Sequence, residues 1–246
     1  MMLRISDINS WKNFFDLIFD SCTVVELKLD QDKCKMTVLD NGHVAFYDAE
    51  YSKEFFDVYD VNDLESILVY VEDFYKILKS AHKNDELILE SDEETLKITL
   101  EHDGSHRVFE LPLGDEFGSG VPPLPSIDYD ATFDILLDDL KLPCSDLDKI
   151  VKTNKFTMMT DNDELSIVSP SDSLTRYCQK IMIDENVSVK SVVDLKYIQQ
   201  LLKLNKINKE IIFSIGGDVP VRWQIKSPLD DIIITGLIAP IIETEE

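Results

Sequence analysis

Twenty residues near the middle of the chain, Leu111 to Asp130, hold three glycines, four prolines and no lysine or arginine. Proline has no backbone N–H to give a helix interior or a central strand, and glycine loses the most freedom on entering either. The stretch therefore reads as an extended connector. It divides the 246 residues into two halves of nearly equal size, each large enough for its own core. The limits it implies are a first domain over 1–112, a connector over 113–128 and a second domain over 129–246.

The halves repeat one order of elements. Late in the first come a β-type run at Ile67 to Val71, a helical stretch at Phe74 to Lys83, and strand-like runs at Glu86 to Ser91, Thr95 to His102 and Arg107 to Leu113. Late in the second come Ser191 to Leu195, a helical stretch at Lys196 to Lys206, and runs at Glu210 to Ile215, Val219 to Ile225 and Asp231 to Leu237. Phe74-Tyr75 falls on Tyr197-Ile198, an offset of 123 residues. That is the mark of an internal duplication. The starts agree as well. Ile8 to Phe19 is apolar at helical spacing, and alternating runs follow at Val24 to Leu29, Lys35 to Leu39 and His43 to Tyr47. In the second half a helix falls within Phe133 to Leu142 and ends at Pro143, with a short helical piece over Ser145 to Val151. Strands follow at Lys155 to Thr160, Glu164 to Ser169 and Thr175 to Ile183. Strands in direct succession pair antiparallel. The expected class is α+β, two duplicated domains of antiparallel sheet with two helices each.

A net charge of −24, from 48 acidic and 24 basic residues, argues against bulk nucleic-acid binding. The placement of the basic residues argues the other way. Phe74 to Lys83 carries Lys76, Lys79 and Lys83 and no acid, and Lys190 to Lys209 carries five lysines and one acid, Asp194. Lysines at i, i+3 and i+7 share one helix face. Lysine faces of this kind suit a phosphate backbone contacted without reading its sequence. Either face alone could simply be a solvated surface. The first helical region of each half is acid-rich by comparison: Lys12 stands against Asp16 and Asp20, and Lys141 and Lys149 against Asp134, Asp138, Asp139, Asp146 and Asp148.

The four cysteines are scattered and read as reduced thiols in a cytosolic protein. No Gly-rich phosphate loop, HExxH, GxSxG or Cys/His cluster occurs, so no catalytic site, metal site or cofactor is expected. No apolar run is long enough to span a membrane.

Several segments carry a resemblance. GDVPVRWQIK (Gly217 to Lys226), a strand, then LIAPIIE (Leu237 to Glu243) close the chain; DNGHV (Asp40 to Val44), FFDVYDV (Phe55 to Val61), YKILK (Tyr75 to Lys79) and FELPL before the connector precede them. Their order and spacing over the whole chain resemble the proliferating cell nuclear antigen family, the sliding clamps of archaea and eukaryotes.

The resemblance implies the clamp fold: a closed ring of three subunits, most simply a homotrimer, with pseudo-sixfold symmetry, helices lining the hole and sheets outside. It implies a processivity factor that encircles duplex DNA and tethers DNA polymerase, clamp loader, flap nuclease and ligase, each through a short glutamine/aromatic motif. The DNA-facing residues would be Lys12, Lys76, Lys79, Lys83, Lys141, Lys196, Lys203, Lys206 and Lys209. Partners would dock at Leu39, His43 and Val44, the connector residues Val121 and Leu124, Pro220, and the run Leu237, Ile238, Ala239, Pro240 and Ile241. Subunits would meet edge to edge, through Arg107, Val108 and Phe109 on one side and Arg176, Tyr177, Cys178 and Lys180 on the other. The location implied is cytoplasmic and nucleoid-associated, or nuclear in a eukaryote. The acid-rich first helices keep an alternative open: a subunit of a heteromeric clamp, or a divergent paralogue acting as an acidic interaction protein.

Overall fold

A computed structural model of the chain describes residues 1–61, 64–92, 94–113 and 124–242. Contacts fall within two units, Met1–Pro123 with Lys226–Ile234, and Leu124–Ile225 with Thr235–Glu246. The first unit holds strands β1 (Met2–Ile5), β2 (Val24–Leu29), β3 (Lys33–Leu39), β4 (Ala45–Ser52), β5 (Val58–Asp60), β6 (Glu65–Tyr70), β7 (Glu86–Ser91), β8 (Thr95–His102) and β9 (Ser105–Pro112), and helices α1 (Ile8–Ile18) and α2 (Val71–Ser80). The second holds β10 (Ala131–Leu136), β11 (Lys155–Asp161), β12 (Glu164–Val168), β13 (Cys178–Met182), β14 (Val189–Asp194), β15 (Glu210–Ile215), β16 (Val221–Lys226) and the latter part of β17 (Ile232–Ile238), with helices α3 (Leu137–Asp146) and α4 (Leu195–Leu201).

Strand order shows the duplication. The first unit runs β5-β1-β7-β8-β9 and β4-β3-β2-β6, and the second runs β10-β15-β16-β17 and β13-β12-β11-β14. All the registered pairs are antiparallel. One hydrogen bond marks the equivalence residue by residue. The N–H of Val71, first residue of α2, donates to the Thr23 carbonyl at 3.0 Å, and the N–H of Leu195, first residue of α4, donates to the Asn154 carbonyl at 2.7 Å. The helix offset is therefore 195 − 71 = 124 residues, one more than the sequence suggests. Phe74 aligns with Ile198, and both are fully buried.

Asp7 sets the start of α1, its carboxylate accepting from the Asn9 N–H at 3.2 Å and the Ser10 hydroxyl at 2.6 Å. An N-cap of this kind contributes about 1 kcal/mol. Trp11, Phe14, Phe15 and Ile18 then turn inward at the helical period. Trp11 meets Phe15, Tyr51, Phe56 and Phe74 with ring centroids 5.8–6.4 Å apart, and Phe15 stacks obliquely on Phe74 at 4.8 Å. These aromatic contacts lock α1 to α2 and both to the sheet.

The sequence misplaces three elements. Residues 131–136 are strand β10, so the helix expected within Phe133 to Leu142 starts only at Leu137. Ala131, Phe133 and Ile135 point in and Thr132, Asp134 and Leu136 point out, and the run pairs with β15 over six residues. Pro143 does not end α3. It is buried in the helix with Leu137, Leu140 and Cys144, so packing outweighs its missing N–H, and the chain widens into a π-turn over Leu147–Val151. Helix α2 begins at Val71 and ends at Ser80, so it includes Glu72 and Asp73 and leaves Lys83 outside.

Arg107 on β9 closes the end of α2. Its guanidinium donates to the Ser80 carbonyl at 3.2 Å and to Asp85 Oδ2 at 2.8 Å. Burial pushes the Asp85 carboxyl up, but the His82 N–H and the Arg107 guanidinium outweigh it and hold the carboxyl below its usual range. A depressed carboxyl adds stability above its ordinary pKa of about 3.9 and loses it as pH falls toward the folded value. Asp85→Asn should therefore cost about 1–3 kcal/mol at pH 7, with the wild-type and variant stability curves converging below pH 4. Urea denaturation between pH 7 and 2.5 measures this; parallel curves would refute it.

In the second unit, a Cβ on Gly236 would sit 2.3 Å from the ring of Trp223, which is fully buried. No side chain fits there without moving the indole. Gly236→Ala should lower stability by about 1–3 kcal/mol, read as a shifted urea midpoint and altered Trp223 fluorescence. Gly217→Ala is the control, since nothing lies within 4 Å of its Cβ position.

Candidate DNA-facing and partner-facing surfaces

The lysines expected to face DNA do not carry equal charge outward. Lys12 is half-buried, and its ammonium donates to the Ala81 carbonyl at 3.0 Å, just past the end of α2. A cation there answers the partial negative charge of the helix terminus. Lys76 pairs with Glu72 one turn back, and Lys141 pairs with Asp138. Lys79 lies over the Tyr75 ring at 5.1 Å from its centroid, and Lys196 over Tyr197 at 4.5 Å. A ring face orients a lysine without cancelling its charge. Lys83, Lys206 and Lys209 are exposed beyond their helices, and Lys203 is half-buried in a 3₁₀ turn over Leu202–Leu204.

Two lysines escaped the sequence-based set. Lys149 and Lys152 are exposed where the π-turn after α3 ends. Lys152 has a left-handed backbone, φ 61°, and lines a cavity of about 420 Å³ with Lys196, Asp148 and Asp194. The signal was a KIVK run after an acid-rich helix. The helix itself carries three acids, Asp138, Asp139 and Asp146.

The two strands expected at subunit contacts are both sheet edges. β9 ends one sheet of the first unit and β13 ends one of the second. On β9, Phe109 and Leu111 pair with buried Ile98 and Leu96, which puts them on the core face, while Val108 and Glu110 face out. On β13, Ile181 pairs with buried Leu165, while Lys180 and Met182 face out, Met182 at 73% exposure. Arg107 is used within its own unit, as above. Arg176 is exposed ahead of β13, Tyr177 donates its hydroxyl to Gln179 at 2.8 Å, Cys178 is exposed, and Lys180 pairs with Glu164 at 2.6 Å.

The residues expected to face partners fall in two groups, one in each unit. In the first, Leu39 ends β3 and His43 sits exposed in a tight turn with φ 55°. Asp40 builds that turn: its Oδ1 accepts from the Val44 and Ala45 N–H groups at 2.6 and 2.7 Å. In the second, Leu124, Pro220, Ala239 and Pro240 are half-exposed. Ile241 donates its N–H to the Val192 carbonyl at 2.8 Å, and Pro240 and Ile241 border a cavity of about 110 Å³ beside Val192 and Asp218. Two members of the expected run are corrected: Ile238 is fully buried and Leu237 nearly so. Both end β17 and pack inward. Val121 lies outside the described residues.

Among the described residues no cluster of three or more His, Cys, Asp or Glu side chains could hold a metal ion. Burial pushes the Cys34 thiol far up and the Cys144 thiol to about 12, so neither supplies a thiolate. No helix of the described residues is long and apolar enough to cross a membrane. What the surfaces offer is contact: exposed lysines, open strand edges and small clefts.

Comparison with known proteins agrees with this geometry. Residues 1–114 match the family described as proliferating cell nuclear antigen, N-terminal domain. A DNA polymerase sliding clamp of Methanothermobacter thermautotrophicus is 29% identical, covering 99% of this chain and 98% of its own length. DNA polymerase sliding clamp 1 of Thermococcus kodakarensis is 26% identical over 94% of this chain and 96% of its own. The solved proliferating cellular nuclear antigen of Entamoeba histolytica superposes with a TM-score of 0.86 at 16% identity over 98% of both chains. A PCNA2–PCNA3 complex from Sulfolobus tokodaii gives 0.85 at 22% identity, covering 99% of this chain and all of the matched one. A duplicated antiparallel fold, a family match across the first half and full-length relatives agree in likening the chain to the proliferating cell nuclear antigen family of sliding clamps.

Proposed function

We propose that this chain is a DNA polymerase sliding clamp, a non-catalytic processivity factor that encircles duplex DNA and tethers polymerase and other replication and repair proteins. The observation that carries this is the doubled unit with an open edge on each copy. Two equivalent units in a chain, repeated around an axis, make a closed ring, and closure leaves no edge free to aggregate. We take residues 1–112 and 129–246 as the two clamp domains and 113–128 as the connector between them. The chain works in the cytoplasm, at the nucleoid.

The ring is a homotrimer in this reading. One chain carries both halves of a complementary contact. Joined edge to edge, β9 offers Phe109 and Leu111 on its core face and Val108 and Glu110 outside; β13 offers Ile181 on its core face and Lys180 and Met182 outside. Apolar meets apolar and Glu110 can meet Lys180. DNA contact falls to Lys79, Lys83, Lys196, Lys206 and Lys209, joined by Lys149 and Lys152, rather than to Lys12, which is committed to a helix end. Partners insert a glutamine/aromatic motif beside His43, Pro220 and Pro240. Clamp loader, flap nuclease and ligase are the further partners of this kind.

Light scattering should give three times 28.2 kDa, about 85 kDa, and Val108→Glu with Phe109→Lys should lower that to the monomer mass. A wild-type monomer at micromolar concentration would refute the homotrimer. On primed circular DNA with a clamp loader, the chain should lengthen polymerase products. Replacing Lys79, Lys196 and Lys209 with glutamate should abolish the gain. It should also weaken the dependence on salt, since the slope of log affinity against log salt falls by about 0.9 for every phosphate no longer neutralised. The double change Lys12→Ala and Lys141→Ala should leave product length nearly intact. Full processivity in the triple variant would remove DNA contact from these lysines.

A further inference from the structure

Arg222 stands out in a chain with twice as many acids as bases. It is half-buried on β16 and has no ion-pair partner among the described residues. Two carboxylates beside this row of strands are taken by backbone N–H groups. Asp130 Oδ2 accepts from the Gly217 N–H at 3.0 Å, and Glu185 Oε2 accepts from the Thr132 N–H at 3.2 Å. Asp128 stands exposed on the rim. Arginine presents a rigid, permanently charged fork that suits a carboxylate, and leaving it half-desolvated without one is costly.

Around Arg222 lies a cavity of about 420 Å³, bordered by Tyr129, Thr132, Ser214 and Gln224, with Ile127 and Ile212 as apolar walls. The strand register explains it. Thr132, Ser214 and Arg222 form one row across β10, β15 and β16, and Ile212 and Gln224 form the next. Ile127 and Asp128 at the end of the connector, with Tyr129 just after it, border this sheet face, and Ser214 is 5% exposed. Two groups there are already satisfied: the Thr132 hydroxyl donates to Ser214 at 3.0 Å, and Gln224 donates to Thr235 at 3.1 Å. One is not. The Tyr129 hydroxyl oxygen is buried and has no hydrogen-bond partner among the described residues. Buried polar groups of native proteins are nearly always bonded. Burial pushes the Tyr129 phenol up, against the opposing pull of Arg222, so at neutral pH it holds its proton and can donate.

An unpaired guanidinium and an unused phenol border one cleft beside the connector. Pro220, two residues before Arg222, leads into it along β16. We infer that this cleft receives an aspartate or glutamate side chain from the flank of a docked partner segment, with Arg222 as its receptor and Tyr129 as a second donor. The inference rests on the partner-docking reading above and adds a specificity that the glutamine/aromatic motif does not encode. The cleft is large enough for one acidic side chain and its neighbour. In a chain of charge −24, acidic peptides meet a repelling surface; a single receptive arginine would make the position of the acid the selective feature.

The test uses the full chain and fluorescent peptides that carry the motif, with one glutamate walked through the four positions on either side, each matched by a glutamine version. At one position glutamate should bind the wild-type chain about tenfold tighter than glutamine, the range of a charge-assisted hydrogen bond. Arg222→Gln should erase that gap and leave the glutamine peptide unchanged. Tyr129→Phe should narrow the gap, and Arg222→Glu should shift the preference to lysine at the same position. Unchanged binding of the glutamine peptide shows that each variant is folded. Equal binding of every glutamate and glutamine pair overturns the inference and leaves the docking reading standing. A gap that survives Arg222→Gln overturns it too. If no motif peptide binds the wild-type chain, the docking reading fails and the inference falls with it.

Discussion

The first backbone N–H of each second helix has no partner inside the helix, and its bond to the chain just before a strand holds each unit together. Val71 donates to Thr23 and Leu195 to Asn154. An orphan donor buried at a helix start must be satisfied. Neither Tyr70 nor Asp194 caps the first N–H with a side chain, though Asp194 caps the second, that of Lys196. Using a backbone carbonyl instead ties helix to strand at a fixed point. From that point Phe74 and Ile198 drop into equivalent core positions, and the polar side of each helix is left facing away from its sheet. Duplication preserves the bond while nearly every side chain around it changes.

How far this was readable from residues depends on what each element relies on. Helix α1 was legible because one local pattern, an Asp cap and apolar residues at the helical period, says the same thing as the fold. Strands β7, β8 and β15 were legible to the residue, since alternation and flanking polar turns mark them. β10 was not, although Ala131, Phe133 and Ile135 alternate cleanly. It abuts α3 with no break, so the apolar positions of both merge into one helix-like run. Pro143 misled for the opposite reason: local chemistry says stop, and only the core contacts of Leu140 and Cys144 carry the helix past it. Among site residues, Ile238 was assigned to a docking run by its neighbours in sequence, but the strand period turns it inward. Ion pairing was the least legible. That Lys76 would find Glu72 requires knowing that α2 starts at Val71.

The charge pattern is best understood as selection by exclusion. Most carboxylates lie on strands and loops, and Lys83, Lys149, Lys152, Lys206 and Lys209 stand exposed past the ends of α2, α3 and α4. At physiological ionic strength an exposed charge is screened within about 8 Å. The acids therefore do not cancel a lysine that touches a phosphate, although they raise the cost of approach from any other side. Aromatic rings under Lys79 and Lys196 add orientation without neutralising them. Lysine also suits the task better than arginine would. A compact, strongly hydrated ammonium makes point contacts that are readily exchanged, and a fork-shaped guanidinium makes paired ones that persist.

That difference separates the two kinds of surface proposed for this chain. A ring held on DNA by its topology needs contacts weak enough to slide, and the surface proposed to face DNA is built of lysines, several of them already half-occupied by acids or rings. A docking cleft needs the reverse, a contact that discriminates and stays. Among the described residues, the one arginine that is half-buried in a cleft without a charged partner sits beside the connector, not on the helices. Arg4 is shared between Glu86 and Glu101, and Arg107 is consumed by Asp85. Arg222 keeps its fork unspent, next to a phenol with a proton to give. On the proposed roles, the division between lysine for movement and arginine for recognition follows from the hydration of the two groups.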